Sequence, residues 1–463
     1  MGSNKQQTAE HAAETQGVGP QDLPRLQSLV AEIVAQAKQQ GATACEVGVS
    51  VNQGLAVNVR RGEVETLEFN RDQGFAITVY SGQRKGSAST SDTSASAIKQ
   101  AVEAALVIAK HASEDPCAGL ADANQMAQQL PDLDLYHAWD LHADQAIELA
   151  QQMEEAAFAV DPRLSNSDGA SVNLFQGCRV YGNSHGFIGG YAGTRHSMSC
   201  VMIAEANVNG ERQMQRDYWY DVNRQSQALQ SAQAIGQKAA QRTVARLGAR
   251  AVPTAQVPVL FAPEVAAGLL GHFLAAISGG NLYRKSSFLE GALGQRLFPD
   301  WLNIDERPHL PSLLGSSSFD NDGLATRAQS FVQGGELVSY LLSVYSARKL
   351  GMTSTANAGG AHNLFVSHGD ADQQALLKQM GRGLLVTELM GQGVNMVTGD
   401  YSRGAGGYWV ENGEIQFPVQ EVTIAGNLRD IFANVAAIGN DVDTRGNIRT
   451  GSILIEQMTL AGS

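Results

Sequence analysis

The chain carries little charge for its length. Only 17% of its 463 residues are charged, against about 25% in an average soluble protein, and the formal net charge is -13. An excess of negative charge repels phosphate backbones and anionic membrane surfaces. The composition therefore predicts no nucleic-acid partner and no membrane partner.

The chain also has few cysteines and no long apolar segment. The four cysteines lie far apart in the sequence, at Cys45, Cys117, Cys178 and Cys200. None belongs to a Cys-x-x-Cys pair, so no zinc ribbon is indicated. Residues 1–20 lack the apolar core of a secretory signal, and no run of about 18 apolar residues occurs elsewhere. We expect a cytoplasmic protein with a flexible tail over residues 1–20.

The common catalytic strings are missing as well. The chain has no His-Glu-x-x-His motif, no Gly-x-Ser-x-Gly turn and no Walker phosphate loop. Its ten histidines are scattered, and a structural or surface role is the simpler interpretation of each. His272 is the sharpest case, because helical spacing places it with Leu269 and Ala276 on an apolar stripe. A core histidine bonded to a carbonyl explains that position more simply than a metal ligand does.

Alternating apolar residues predict strands in the first half of the chain. Leu55, Val57 and Val59 alternate, and similar runs continue to Val79, separated by glycines such as Gly74. Residues 21–40 repeat apolar side chains at helical spacing, which predicts a helix before these strands. This half is therefore expected to be an antiparallel sheet flanked by helices.

Glycine is abundant, at 49 of 463 residues, above the usual share of about 7%. Residues 381–413 are the densest part, and they end in an Asn412-Gly413 pair between Trp409 and Ile415 that is typical of a hairpin. Such a segment predicts curved and bulged strands. We expect an α+β fold whose C-terminal domain is β-rich, with a curved sheet or barrel-like form.

Shifts in composition divide the chain into segments. They are a flexible tail over residues 1–20, an N-terminal α+β domain over 21–115, a central α+β segment over 116–250 and a C-terminal β-rich domain over 251–463. The last helix of the central segment is predicted over residues 226–247. Its basic residues Arg242, Arg246 and Arg250 are expected to complement the helix C-terminus. An Asn209-Gly210 pair predicts a hairpin before it.

One glycine-rich segment combines polar side chains with a permissive backbone. Its residues are Asp400, Tyr401, Ser402, Arg403 and Gly404. An exposed strand edge beside such a loop can accept an extended peptide, so these residues are candidates for substrate binding. A structural turn in which Arg403 pairs with Asp400 explains the segment equally well.

Several longer strings in the second half of the chain agree together. They are Gly271-His272 to Gly279-Gly280 followed by Tyr283-Arg284-Lys285-Ser286, then Tyr345 to Gly351, Val386 to Gly393, Gly399 to Gly404, and Ile424 to Leu428. In these strings the chain resembles the TldD/PmbA family, and within it the PmbA branch, also called TldE. The resemblance runs from about residue 40 to the C-terminus. It implies a cytoplasmic metallopeptidase system in which TldD-like and TldE-like chains form a heterodimer that cuts peptides or partly unfolded proteins.

The resemblance also indicates what this chain lacks. In TldD-like proteins a His-Glu-x-x-x-His helix and a late cysteine form the zinc site. The matching positions here are Gly271 and Ala276 for the histidines, His272 for the glutamate and, nearby, Thr450 for the cysteine. Glycine, alanine and a neutral hydroxyl do not supply the imidazoles and thiolate that zinc prefers. We therefore expect no catalytic residue, metal or cofactor in this chain, and zinc in a TldD-like partner.

The hypothesis we favour is a supporting subunit that binds extended peptide or unfolded protein within the heterodimer. A homodimer of the chain alone is left open. Two other hypotheses stay open. The chain could be a metallopeptidase itself, using His272 with His362 or His185 and a carboxylate from Glu388 or Asp400. It could also be a non-proteolytic adaptor of regulatory proteins.

Overall fold

A computed structural model describes residues 17–208 and 210–462. Most of the predicted tail, and Asn209 of the first predicted hairpin, lie outside these residues. The predicted α+β class is confirmed. The α-helices are α1 Leu23–Gln39, α2 Ala95–His111, α3 Ala143–Phe158, α4 Ala232–Ala245, α5 Pro263–Ile277, α6 Gly279–Tyr283, α7 Val344–Leu350, α8 Gln373–Met380 and α9 Leu428–Ala433.

The strands fall into three sheets. In chain order they are β1 Ala44–Arg60, β2 Glu63–Ser81, β3 Arg84–Thr90, β4 Leu164–Asn183, β5 Ile188–Val208, β6 Glu211–Asn223, β7 Ala255–Phe261, β8 Ile304–Glu306, β9 Gln329–Gln333, β10 Glu336–Leu337, β11 Leu364–Val366, β12 Gly383–Met390, β13 Asp400–Glu411, β14 Glu414–Asn427, β15 Val435–Ile438, β16 Ile448–Arg449 and β17 Ile453–Ala461. Among the described helices, none is both long and apolar enough to cross a bilayer.

The first sheet is antiparallel and has the order β3-β2-β1-β4-β5-β6. Its central strand β1 joins the two halves, since Val47 pairs with Ile77 of β2 and with Gly182 of β4. Alternate side chains of the sheet face its helices: one apolar cluster lies under α1 and α2, and a second lies under α3 and α4. The sheet therefore runs continuously from the N-terminal into the central part of the chain.

Two local predictions in this half were wrong. Gly74 does not separate two strands but pairs with Ser50 in the middle of β2, because hydrogen bonding to β1 continues through it. The last central helix, α4, begins at Ala232 rather than at residue 226. Ser231 caps it by accepting a hydrogen bond from Ala234 N at 3.2 Å, whereas Ser226–Ala228 form a separate 3-10 turn.

The predicted barrel-like C-terminal domain is confirmed. Strands β14, β13, β12, β7 and β17 are hydrogen-bonded in that order, and β14 also pairs with β17, which closes a five-stranded barrel. The β13–β14 hairpin turns at Asn412 and Gly413, both with positive φ, as the sequence predicts. Bulges interrupt β12 and β13. The third sheet has the order β10-β9-β8-β11-β16. Its strands come from the segments between β7 and β12 and between β14 and β17.

Helix α5 follows β7 directly and packs into the main C-terminal core. Its buried side chains are those of Ala266, Leu269, Leu270, Phe273, Ala276 and Ile277. At its first turn Glu264 accepts a hydrogen bond from Arg242 at 2.6 Å, and Arg246 pairs with Glu388 of β12. These arginines lie at the end of α4 as expected, but their side chains bridge to the C-terminal domain because carboxylates are stronger partners than helix carbonyls.

The close packing of α3 on α4 gives a first prediction. A Cβ at Gly236 of α4 would overlap the main-chain oxygen of Met153 on α3, so Gly236→Ala must force the helices apart. We expect a loss of about 3 kcal/mol in the free energy of unfolding. The matched control is Gly268→Ala on α5, where a Cβ meets nothing within 4 Å. Helix propensity predicts a gain of about 1 kcal/mol there. Urea unfolding measures both, and equal effects would contradict this packing.

Candidate functional site

The resemblance assigns the zinc site to helix α5. One face of this helix carries glycines instead of side chains, and we call it the bare face. Gly268 and Gly271 lie three residues apart, and His272 follows at a spacing of four from Gly268, so all three are near one another on the helix surface. A Cβ at Gly268 or at Gly271 would meet none of the described atoms within 4 Å beyond its chain neighbours and the backbone of the helix itself. The helix therefore presents exposed backbone beside a single imidazole.

The other two positions of the family's metal site are packed inside the protein. Ala276 is fully buried, and its carbonyl accepts a hydrogen bond from Ser287 Oγ at 2.6 Å. Thr450 is also fully buried, just after β16, against which α5 packs. The Thr450 hydroxyl donates to the carbonyl of Gly451 at 3.2 Å. Neither residue presents a metal-binding atom to open space.

His272 is only half-buried, and it does not have the carbonyl partner that the sequence suggested for a core histidine. Its Nε2 is buried without a hydrogen-bond partner. Its ring meets the edge of Tyr401, with centroids 5.9 Å apart and the planes at 70°. Burial, and then the positive charge of Arg403, lower the pKa of His272. The imidazole is therefore neutral at physiological pH.

Tyr401 and Arg403, which lie beside His272, belong to β13. They are two residues apart in a strand, so their side chains point to the same face. Tyr401 is 1% exposed and its hydroxyl has no hydrogen-bond partner, and Arg403 Nε is buried and unpartnered too. Burial raises the pKa of Tyr401 to about 12, although the nearby Arg403 guanidinium acts to lower it. The two groups are close neighbours that do not meet hydrogen-bond geometry.

The segment predicted as a permissive loop is a paired strand. On one side Tyr401 lies opposite Gly426 of β14. On the other side pairing with β12 begins only at Gly404, and residues 393–395 cover the strand before it, since Ser402 N donates to Gly393 O at 2.7 Å. Asp400 accepts hydrogen bonds from Thr398 and Asn427 rather than from Arg403. Glycines that predicted a turn instead allow bulges and close strand contacts.

Pleating splits the five candidate substrate-binding residues between two faces. Tyr401 and Arg403 share one face of β13, and Asp400, Ser402 and Gly404 share the other. Only the first pair reaches α5. The sequence did not show that His272 belongs with this pair, because helix and strand are separated by more than a hundred residues and no spacing rule links them.

The side chains suggested as alternative metal ligands do not come together. His362 Nδ1 lies 3.0 Å from Glu306, a carboxylate that is 1% exposed. Glu388 pairs with Arg246, and His185 lies in the turn between β4 and β5. Over residues 17–208 and 210–462, no group of three His, Cys, Asp or Glu side chains is arranged to hold a metal ion. The residues at the family's metal position do not fit zinc.

A partly open cavity of about 270 Å³ lies elsewhere, between the first sheet and the loop around Asp322. Its deepest carboxylate, Glu46, accepts hydrogen bonds from Tyr80 and Tyr181, each at 2.9 Å. Asp322 accepts one from Val344 N at 2.8 Å. Both carboxylates are therefore already hydrogen-bonded within the chain. The cavity lies where polar side chains of the N-terminal and C-terminal halves meet.

The antiparallel sheet and the barrel with α5 belong to a chain of a class that family profiles describe as metallopeptidases. Family profiles match its three parts in order: the PmbA/TldA metallopeptidase domain 1 over residues 45–109, the central domain over 136–247 and the C-terminal domain over 254–462. The chain belongs to this PmbA/TldA metallopeptidase family, as the strings in its sequence indicated.

Individual relatives agree with this assignment. Metalloprotease PmbA of Escherichia coli O157:H7 is 50% identical over 429 residues, which are 93% of this chain and 94% of that protein. The crystal structure of a candidate modulator of DNA gyrase from Bacteroides thetaiotaomicron superposes with a TM-score of 0.89 at 28% identity, covering 94% of this chain and 98% of that one. TldE from Thermococcus kodakarensis shares the fold, with a TM-score of 0.78 at 20% identity over 94% of this chain and 100% of that one.

The unpartnered hydroxyl of Tyr401 gives a second prediction. Tyr401→Phe removes a buried polar group without removing a hydrogen bond, so we expect it to stabilise the protein by about 1 kcal/mol. The matched control is Tyr340→Phe, since the Tyr340 hydroxyl donates to the Leu289 carbonyl and accepts from Ala292 N, both at 3.0 Å. That variant should lose about 1 to 2 kcal/mol. Thermal unfolding measures the stability of both variants. Equal losses of stability would show that the Tyr401 hydroxyl does form a hydrogen bond.

The buried Glu306–His362 pair gives a third prediction. Burial alone would raise the pKa of Glu306, but hydrogen bonds and charge from His362 outweigh it and hold that pKa below its usual value. Ionised Glu306 therefore stabilises the fold above the unfolded-state pKa, and this stabilisation is lost as the pH falls through the lower folded-state pKa.

We expect Glu306→Gln to lose about 3 kcal/mol at neutral pH, because a charged hydrogen-bond acceptor is removed. The melting temperature of the variant should also fall less steeply than that of the wild type between about pH 6 and pH 3. The half-exposed neighbour Asp305, changed to Asn, is the control and should behave like the wild type. Parallel pH profiles for Glu306→Gln and the wild type would contradict the assignment.

Proposed function

We propose that this chain is the subunit without zinc in a cytoplasmic, heterodimeric metallopeptidase of the TldD/TldE type. In this role it supports the binding of extended peptides or partly unfolded proteins, while a TldD-like partner carries the metal. Family membership supports the peptidase system as a whole. The division of labour between the subunits is our proposal.

The observation that carries the proposal is the composition of the metal position on α5. Gly271 has no side chain, and Ala276 and Thr450 are buried in packed protein. One neutral imidazole, that of His272, is left. Zinc sites in peptidases use three protein ligands and an open position for water. This chain therefore retains the scaffold of the site without its donors.

The retained scaffold still has a use in substrate binding. The bare face at Gly268 and Gly271 allows a peptide backbone to approach α5 closely. The barrel holds Tyr401 and Arg403 beside that face, because both are paired with β14. Residues on rigid elements position a ligand more accurately than residues on loops. When bound in the partner, zinc would supply the activated water for peptide hydrolysis.

The fourth prediction tests the missing zinc site directly. The purified chain should contain less than about a tenth of a zinc ion per chain and should not cleave an unfolded peptide, since its donors do not suffice. Addition of a TldD-like partner should give cleavage, with zinc bound to the partner. His272→Ala should leave the zinc content of the complex unchanged. Mass spectrometry of the metal and a fluorogenic peptide assay measure the two properties, and mass photometry records homodimer or heterodimer.

Other outcomes would support other hypotheses. About one zinc ion per isolated chain, lost in His272→Ala together with cleavage, would show that the chain is a metallopeptidase by itself. Peptide binding without cleavage, even in the complex with an active partner, would support the adaptor hypothesis. Either result would overturn the assignment as a supporting subunit.

A further inference from the structure

His272, Tyr401 and Arg403 form what we call the α5–β13 cluster. In it three polar atoms are buried without a hydrogen-bond partner among residues 17–208 and 210–462: His272 Nε2, the Tyr401 hydroxyl and Arg403 Nε. Buried polar atoms in native proteins are nearly always bonded. Three unbonded atoms on adjoining side chains therefore call for a common explanation, and a ligand between them would supply it.

The chemistry of the three groups specifies the ligand. A guanidinium can only donate hydrogen bonds, while a hydroxyl and a neutral imidazole can each donate one. An oxygen acceptor satisfies all three groups. Arg403 forms no ion pair with any of the described residues, although the chain has 46 acidic side chains. A negatively charged acceptor from outside the chain would provide the missing charge.

We propose that the α5–β13 cluster binds a carboxylate of an extended peptide, either its C-terminal carboxylate or an acidic side chain. This inference rests on the proposed function, because it names the group of the substrate that this subunit recognises. A planar carboxylate matches the fork of a guanidinium, so that the two can share paired hydrogen bonds.

Charge and access favour a peptide carboxylate over a phosphate group. Arg403 is the permanently charged group of the cluster, and its single positive charge matches a monoanion better than a dianion. The open space beside Gly268 and Gly271 adjoins His272 and leaves room for the chain that carries the carboxylate. A main chain can approach there because neither glycine has a side chain in the way.

The test measures peptide binding to the full chain without partner or metal, by fluorescence anisotropy. The probes are one neutral labelled peptide as free acid, the same peptide as its C-terminal amide, and that amide with one internal glutamate. We expect at least one of the two carboxylate peptides to bind about ten-fold or more tightly than the neutral amide. The free acid reports a terminal carboxylate, and the glutamate peptide reports an acidic side chain.

Matched variants connect this preference to the cluster. Arg403→Gln should abolish the preference, Arg403→Lys should keep part of it, and Tyr401→Phe should weaken it without loss of thermal stability. The control is Arg382→Gln, which changes an exposed arginine near Glu411 and should have no effect. Thermal unfolding of each variant confirms that it is folded.

Equal binding of the three peptides, or an unchanged preference in Arg403→Gln, would overturn the proposal. Failure here is distinguishable from failure of the proposed function, because zinc content and cleavage are measured separately. If the isolated chain binds zinc, is active and still prefers carboxylate peptides, the carboxylate site stands and the supporting-subunit role is rejected. If the chain is zinc-free and active only with its partner but binds all three peptides equally, the supporting-subunit role stands and the carboxylate site is rejected.

Discussion

The site depends on the burial of one face of α5. Six apolar side chains of this helix lie in the main C-terminal core, among them Leu269, Leu270 and Phe273. Burial of such side chains contributes on the order of 1.5–3 kcal/mol each, so the rotation of the helix about its axis is fixed. The opposite face must then point outward. The buried face therefore determines where Gly268, Gly271 and His272 lie.

A second interaction fixes the helix along its length. Glu264, in the first turn of α5, receives a hydrogen bond from Arg242 at the end of α4. Both side chains are largely shielded from solvent, where a charge-assisted hydrogen bond is stronger than on the surface. Arg246 adds a similar connection to β12. The central part of the chain thus holds the helix and the barrel strand that together form the site.

The sequence predicted the classes of structure better than the contacts between them. The Asn412-Gly413 turn was predictable, because local backbone chemistry decides it. Gly74 and residues 400–404 were misjudged, since hydrogen bonding to a neighbouring strand, β1 for Gly74 and β14 for residues 400–404, overrides the turn preference of glycine. The meeting of His272 with Tyr401 was not predictable, because it depends on how the helix packs on a distant strand. The family strings nevertheless pointed to both segments.

Two buried tyrosines of the C-terminal core differ in their hydrogen bonding. Tyr340 is 5% exposed and Tyr401 is 1% exposed, and both belong to the same apolar core. The hydroxyl of Tyr340 has a donor and an acceptor within 3.0 Å, whereas the hydroxyl of Tyr401 has neither. This core can therefore satisfy a buried hydroxyl. Tyr401 has no such partner among the described residues, although Arg403, whose Nε is also unpartnered, lies beside it, and the carboxylate that we propose would bond to both groups.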